Sequence, residues 1–243
     1  MPVKTWNAAE SAEAYGTVGC IVRYNGSLAM LTAGHVLCPV WEGLSPGAHR
    51  DIRIGPAGST VGATLSHWRM PVTRHGYPMD ETTDVALAVL DEKGADTVLR
   101  SIELPSGVRT LRRNGEKVYF HGATSGRLYQ TVVHDIAAEV QMRYQVYARY
   151  GSPSFRTVEA KLSGMIQTDA NMPVLGGDSG CLLFDADGNA LGLLVGTDPT
   201  NTYPYFTHLA PLLAFFNAEL VTSHPHSTTG RLRTLVKEVF PHA

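Results

Sequence analysis

The stretch 176-GGDSGC-181 sets two glycines and an acid directly before a serine, and a glycine directly after it. Small residues on both sides of a hydroxyl give up packing and backbone rigidity, so the chain gains only if something must approach the backbone closely there. A glycine two before the serine can turn its N–H toward an incoming oxygen, and the amides of Gly177 and Ser179 would then converge on one point. A serine hydroxyl is a poor nucleophile at neutral pH. It needs a base in hydrogen-bond reach, an orienter behind that base, and donors for the oxyanion that forms. Alone, the stretch reads equally well as a nucleophile with its oxyanion hole or as a glycine-rich turn.

The base must come from ten histidines. His35 stands out in 31-LTAGHVLC-38, directly after an apolar strand whose end can present an imidazole into a cleft. Asp84 opens the apolar run 84-DVALAVL-90, where a half-buried carboxylate is suited to holding an imidazole in one tautomer. Asp80, Glu81 and Asp91 lie near enough to compete for that role, and each residue alone has a plain alternative as a strand-end or turn side chain.

Around these residues the chain reads as short strands separated by turns. Candidate strands are 18–24, 28–33, 84–90, 117–122, 129–136, 181–184 and 190–196, all apolar, β-branched or aromatic runs bounded by Gly, Asn, Asp or Pro. Tyr24-Asn25-Gly26 and Asp187-Gly188-Asn189 carry hairpin-turn chemistry. This spacing predicts an all-β barrel or sandwich. A helix is expected within 208–220, starting near 210 because of Pro211, and a second amphipathic one over 230–240. The segment from Arg100 to Gly115 is the best candidate for a connection between two domains.

The bulk composition narrows the function classes. The chain has 243 residues, is 44% hydrophobic and 17% charged, and carries a net charge of −2. That is ordinary for a globular protein and leaves no electrostatic footprint for nucleic acid or an anionic membrane. No run of 18 or more apolar residues exists, so no transmembrane helix is expected. The N-terminal segment lacks the basic-then-apolar pattern of a secretory signal, which favours a cytoplasmic location, the alternative being a mature form with an added methionine. No His/Cys cluster has zinc spacing, and no metal or cofactor is expected.

Taken together, Thr32-Ala33-Gly34-His35, Asp84-Val85-Ala86-Leu87 and Gly177-Asp178-Ser179-Gly180 resemble, in that chain order, the motifs of the trypsin/chymotrypsin-like serine proteases. The segment 122-GATSG-126 looks like a loop of the bacterial members, and the resemblance covers roughly residues 16 to 218. It implies two antiparallel six-stranded β-barrels with the site between them and a C-terminal helix. Residues 1–105 would form the barrel with His35 and Asp84. Residues 106–222 would form the barrel with Ser179, the Gly177/Ser179 oxyanion hole and the closing helix, leaving 223–243 as a tail. The activity implied is that of a serine endopeptidase acting on peptide or protein substrates.

The departures from the family pattern set further expectations. With no "IVGG" start, Asp178 needs a partner other than an inserted N-terminus, and Arg127 is a candidate, the alternative being an oxyanion hole distorted in the resting state. Pro173 stands where the base of the P1 pocket is expected, with Val195, Gly196 and Thr197 along its wall and substrate-pairing edge. No acid at 173 argues against Lys/Arg specificity and for a small-to-medium apolar P1, with Asp169 and Asp198 within reach of the region. Cys20 and Cys38 bracket His35 nearly where many members carry a disulfide, while two buried thiols are the alternative. Cys181 packs as a small hydrophobe. Alternatives to a constitutive protease are an effector awaiting a protein activator, a pseudo-protease that binds peptide without cutting, and an esterase.

Overall fold

The computed structural model of the chain describes residues 4–9, 12–38, 40–41, 52–54, 63–72, 83–147, 154–170 and 172–223. The first half contains β1 (Lys4–Ala9), β2 (Ala12–Thr17), β3 (Cys20–Tyr24), β4 (Ser27–Thr32), α1 (Gly34–Leu37), β5 (Val40–Trp41), β6 (Ile52–Ile54), β7 (Ala63–Arg69), β8 (Val85–Leu90) and α2 (Glu92–Ser101). The second contains β9 (Gly107–Val108), β10 (Lys117–His121), β11 (Leu128–Tyr147), β12 (Phe155–Thr168), β13 (Leu182–Phe184), β14 (Asn189–Thr197), β15 (Pro204–His208), α3 (Leu209–Phe216) and β16 (Glu219–Leu220). Every strand expected from the sequence lies on one of these elements, and the class is all-β.

The strands form two eight-stranded sheets. One runs β16-β3-β4-β8-β7-β6-β1-β2. In the other, β10 pairs with both β13 and β11, so the pairings β10-β13-β14-β15-β12-β11 return to their start after six strands. Two short strands cross between the halves: β16 pairs with β3, and β5 pairs with the far end of β11. The tight β3–β4 turn follows its sequence. Asn25 and Gly26 take positive φ (48° and 79°) and bring Tyr24 opposite Ser27, the backbone twist that favours Asn-Gly in two-residue hairpins.

Burial explains the even apolar run of β8. Ala86, Ala88 and Leu90 face one core cluster while Val85 and Leu87 face another, so neither face of the strand is wet. The second cluster also takes Val22 and Leu31 from the first sheet, Tyr119, Phe184 and Leu193 from the second, and Leu209, Leu212, Leu213 and Phe216 of α3. Inside the six-strand ring lie Val118, Phe120, Val133, Ile166, Leu183, Leu194 and Phe206. The long β11–β12 hairpin leaves the ring and buries Val140, Met142, Tyr144, Val146, Val158 and Leu162 against the core of the first sheet. Each fully buried side chain of this size stabilises by about 1.5–3 kcal/mol, so the hairpin is firmly docked.

The helices refine the sequence reading. α3 begins at Leu209 with Pro211 in its first turn, where no backbone N–H is required, and ends on Asn217 in the left-handed conformation (φ 49°). α2 was not anticipated: it starts because the Asp91 side chain caps it, accepting from Gly94 N at 2.6 Å. The helix expected over 230–240 lies outside the described residues. No helix among the described residues is long and apolar enough to cross a membrane.

Candidate active site

The end of β4, the single turn of α1 and the start of β8 bring His35 to Asp84. The carboxylate is buried (1% exposed) and grips His35 twice. The His35 backbone N–H donates to Oδ1 at 2.9 Å, and Nδ1 lies 2.7 Å from Oδ2. An ionised carboxylate only accepts, so Nδ1 carries the proton and Nε2 is left with its lone pair outward. Gly34 makes this approach feasible, because a Cβ there would stand 2.6 Å from Asp84 Oδ1. Of the competing acids, Asp91 is spent on capping α2, and Asp80 and Glu81 lie outside the described residues.

A third donor was not foreseen. The Tyr144 hydroxyl, from β11, donates to Asp84 Oδ2 at 3.0 Å. Burial, then the Asp84 charge and this hydrogen bond, push the Tyr144 phenol well above its ordinary value, so it stays a donor. For His35, burial pulls the pKa down but the charge and hydrogen bond of Asp84 outweigh it, leaving the value above the ordinary 6.5. A raised folded value means that the His35–Asp84 pair contributes stability fully below about pH 6.5 and loses it as pH rises through the folded value.

The serine loop is built from the other sheet and locked to the first. Thr17 is its hub. Its N–H donates to Ser179 O (2.8 Å), its hydroxyl donates to Gly177 O (2.9 Å) and accepts from Ala123 N (3.0 Å), and its carbonyl accepts from Thr32 Oγ1 (2.7 Å). Gly177 turns with φ 98°. Among the described residues the amides of Gly177 and Ser179 have no acceptor, as donors kept for an oxyanion require. Ser179 Oγ donates to Val195 O at 3.2 Å, and among the described residues it makes no hydrogen bond to His35.

Asp178 is fully buried, and its partners are backbone amides in place of the expected Arg127, which is exposed. Oδ1 accepts from Thr124 N and Ser125 N, both at 2.9 Å, and Oδ2 from Leu175 N at 3.0 Å. Three charge-assisted bonds offset the desolvation of one carboxylate and fix the peptide units on both sides of it. Gly122 is needed for this packing, since a Cβ there would meet Asp178 Oδ1 at 2.1 Å.

The expected substrate-binding residues do not share one environment. Pro173 is exposed, the Val195 side chain is buried in the core, and Gly196 and Thr197 are half-buried on β14. Val195 sits at a register shift between Leu194 and Gly196, the kind of bulge that re-aims a carbonyl, and its carbonyl faces Ser179. Thr197 Oγ1 donates to Asn201 Oδ1 at 2.9 Å. Asp198 is taken up by its own turn, accepting from Thr202 N (2.6 Å), Tyr203 N (3.0 Å) and the Thr200 hydroxyl. Cys20, Cys38 and Cys181 are free, buried thiols, and burial pushes Cys20 up to about 12. The described residues hold no group of acids, histidines and cysteines fit for a metal ion.

No family model matches the sequence, and no curated protein matches it either. Solved structures do. Protease A from Thermobifida fusca aligns at 19% identity over 91% of this chain and 96% of its own, with a TM-score of 0.55. The Nocardiopsis protease aligns at 14% over 90% and 96%, TM-score 0.56, and Cellulomonas bogoriensis chymotrypsin at 16% over 85% and 91%, TM-score 0.53. The chain has a trypsin/chymotrypsin-like fold. On this fold His35 and Asp84 adjoin strands of the first sheet, and Ser179 precedes β13 of the second. Of the residues that hold these parts in place, Thr32 and Gly34 stood in the TAGH motif without an assigned role, and Thr17 and Tyr144 escaped the sequence reading. Tyr144 left one signal, its place in the buried alternation Ala138, Val140, Met142, Tyr144, Val146.

Proposed function

We propose that the chain is a serine endopeptidase in which Ser179 is the nucleophile, His35 the general base and acid, and Asp84 the orienter. The observation that carries this reading is the double grip of buried Asp84 on His35, which leaves Nε2 as the outward base. In this mechanism Ser179 Oγ turns from the Val195 carbonyl, passes its proton to Nε2 and bonds to the substrate carbonyl carbon. The Gly177 and Ser179 amides receive the oxyanion. His35 then protonates the departing amine, and a water molecule, deprotonated by His35, releases the acyl group and restores the hydroxyl. Residues 1–105 serve as the domain of base and orienter, and 106–222 as the domain of the nucleophile. Lacking an acid at position 173, the site takes a small-to-medium apolar P1 in preference to Lys or Arg.

One observation favours a second reading. Because Ser179 Oγ is bonded to Val195 O, an effector that a partner switches on by turning this hydroxyl toward His35 accounts for the resting geometry. Profiling a diverse peptide library with the wild type and with Ser179→Ala tests both. Cleavage by the wild type alone supports the protease, and the profile yields its P1 preference. Labelling by a small electrophile without peptide cleavage supports the effector. The pH dependence is specific. Since His35 titrates above 6.5, acylation is expected to rise with pH through a midpoint above that value. A midpoint well below 6.5, in kinetics of acylation against pH, contradicts His35 as the base.

A further inference from the structure

We propose that Tyr144 is a positioning residue of the candidate active site: from the docked β11–β12 hairpin, its hydroxyl fixes the Asp84 carboxylate and sets how strongly that carboxylate holds His35. The inference rests on the serine-protease reading of the site and adds a residue to it. Its basis is a shared atom. Asp84 Oδ2 receives the Tyr144 O–H at 3.0 Å and faces His35 Nδ1 at 2.7 Å, while Oδ1 is held by the His35 backbone N–H at 2.9 Å. Tyr144 is 5% exposed, and its ring meets the imidazole edge-on with centroids 6.2 Å apart. The phenol therefore shares the carboxylate oxygen that faces Nδ1, and it draws negative charge from that oxygen.

Among the described residues, the other ionisable groups of the site are neutral or engaged by further partners. The Cys38 thiol, at the end of α1, is pushed well above its ordinary value by burial and by Asp84, and stays neutral. Arg69, on β7, lays its guanidinium over the Phe215 ring, 4.2 Å from the centroid. Asp178, on the serine side, is held by backbone amides. Tyr144 thus supplies the donor that a backbone or solvent group supplies to exposed carboxylates. It stands on a strand whose neighbours Met142 and Val146 anchor it in the core of the first sheet. Docking of the hairpin and orientation of the base are one structural event.

Tyr144→Phe removes the hydroxyl and keeps the ring. In the full chain, two readouts are needed: the His35 titration by NMR of isotopically labelled histidine, and the rate of fluorophosphonate labelling across pH. The expected result is a His35 pKa above that of the wild type, because Asp84 Oδ2 then concentrates its charge on the imidazole. The plateau labelling rate is expected to fall about ten-fold, the size of one hydrogen bond to a charged group. Val146→Ala, which loosens the same strand without touching Asp84, serves as the control and is expected to lower the melting temperature while leaving the His35 titration in place. The proposal is overturned if Tyr144→Phe leaves the His35 pKa unchanged, or if Val146→Ala moves it equally. If the wild type does not label at all, the protease reading fails, and the titration alone still decides the role of Tyr144.

Discussion

Asp84→Asn is expected to slow acylation of Ser179 by about four orders of magnitude while the chain stays folded, in line with the loss seen when a triad acid becomes an amide. The reason lies in what each Asp84 oxygen does. One accepts from the His35 backbone N–H at 2.9 Å and the other from the Nδ1 proton at 2.7 Å, with Tyr144 donating to the latter at 3.0 Å. An asparagine keeps one acceptor and replaces the other by a donor. With its oxygen left on the backbone N–H, its NH₂ faces Nδ1, which must then give up its proton. The imidazole changes tautomer, Nε2 becomes protonated, and the base for Ser179 is lost. Shape and burial barely change, so thermal unfolding should report a folded protein. Labelling rates for the two proteins at pH 8 check this. A loss of less than ten-fold with the fold intact removes Asp84 from the mechanism.

The glycines flanking Ser179 are expected to respond very differently to alanine. At Gly180 an added Cβ would lie 2.0 Å from Thr32 Oγ1 and 2.4 Å from Thr17 O, on a backbone with φ 90°. The side chain would push apart Thr17 and Thr32, which hold the serine loop to the first sheet. Strain at a positive φ and overpacking add, so Gly180→Ala should cost at least about 3 kcal/mol and abolish labelling. At Gly176 nothing stands within 4 Å of an added Cβ, and Gly176→Ala should stay within about 0.5 kcal/mol of wild type. Urea denaturation of both variants checks the contrast, and equal effects contradict it.

That contrast shows how far the sequence speaks. GDSG, with TAGH and DVAL, pointed to the fold and to the three side chains, because close backbone approaches leave glycines behind and a buried strand leaves an unbroken apolar run. Yet the sequence reading gave all the glycines of the loop one purpose, clearing space for an oxyanion. Gly177 does turn with a positive φ, and its amide has no acceptor among the described residues, but Gly180 is small because the first sheet crosses it, and Gly122 because Asp178 does. The partner of Asp178 was sought among charged side chains and is a set of backbone amides, which every sequence supplies and none advertises. Tyr144 and Thr17 are far from the motifs in sequence and reach them only through the hairpin docking and the sheet pairing. Short-range patterns carry no trace of such long-range contacts. The α2 helix was missed although Ala95, Val98, Leu99 and Ile102 fall at helical spacing, because its cap, Asp91, also fits an acid near His35.

The proposed mechanism turns on Ser179 being an activated nucleophile. Its most direct test is to treat the wild type and Ser179→Ala with a fluorophosphonate and map the adduct by mass spectrometry of proteolytic fragments. A single adduct on Ser179, absent from Ser179→Ala and forming faster as pH rises past 6.5, is the predicted result. An unmodified Ser179 in the folded wild type, or an adduct that survives in Ser179→Ala, contradicts it.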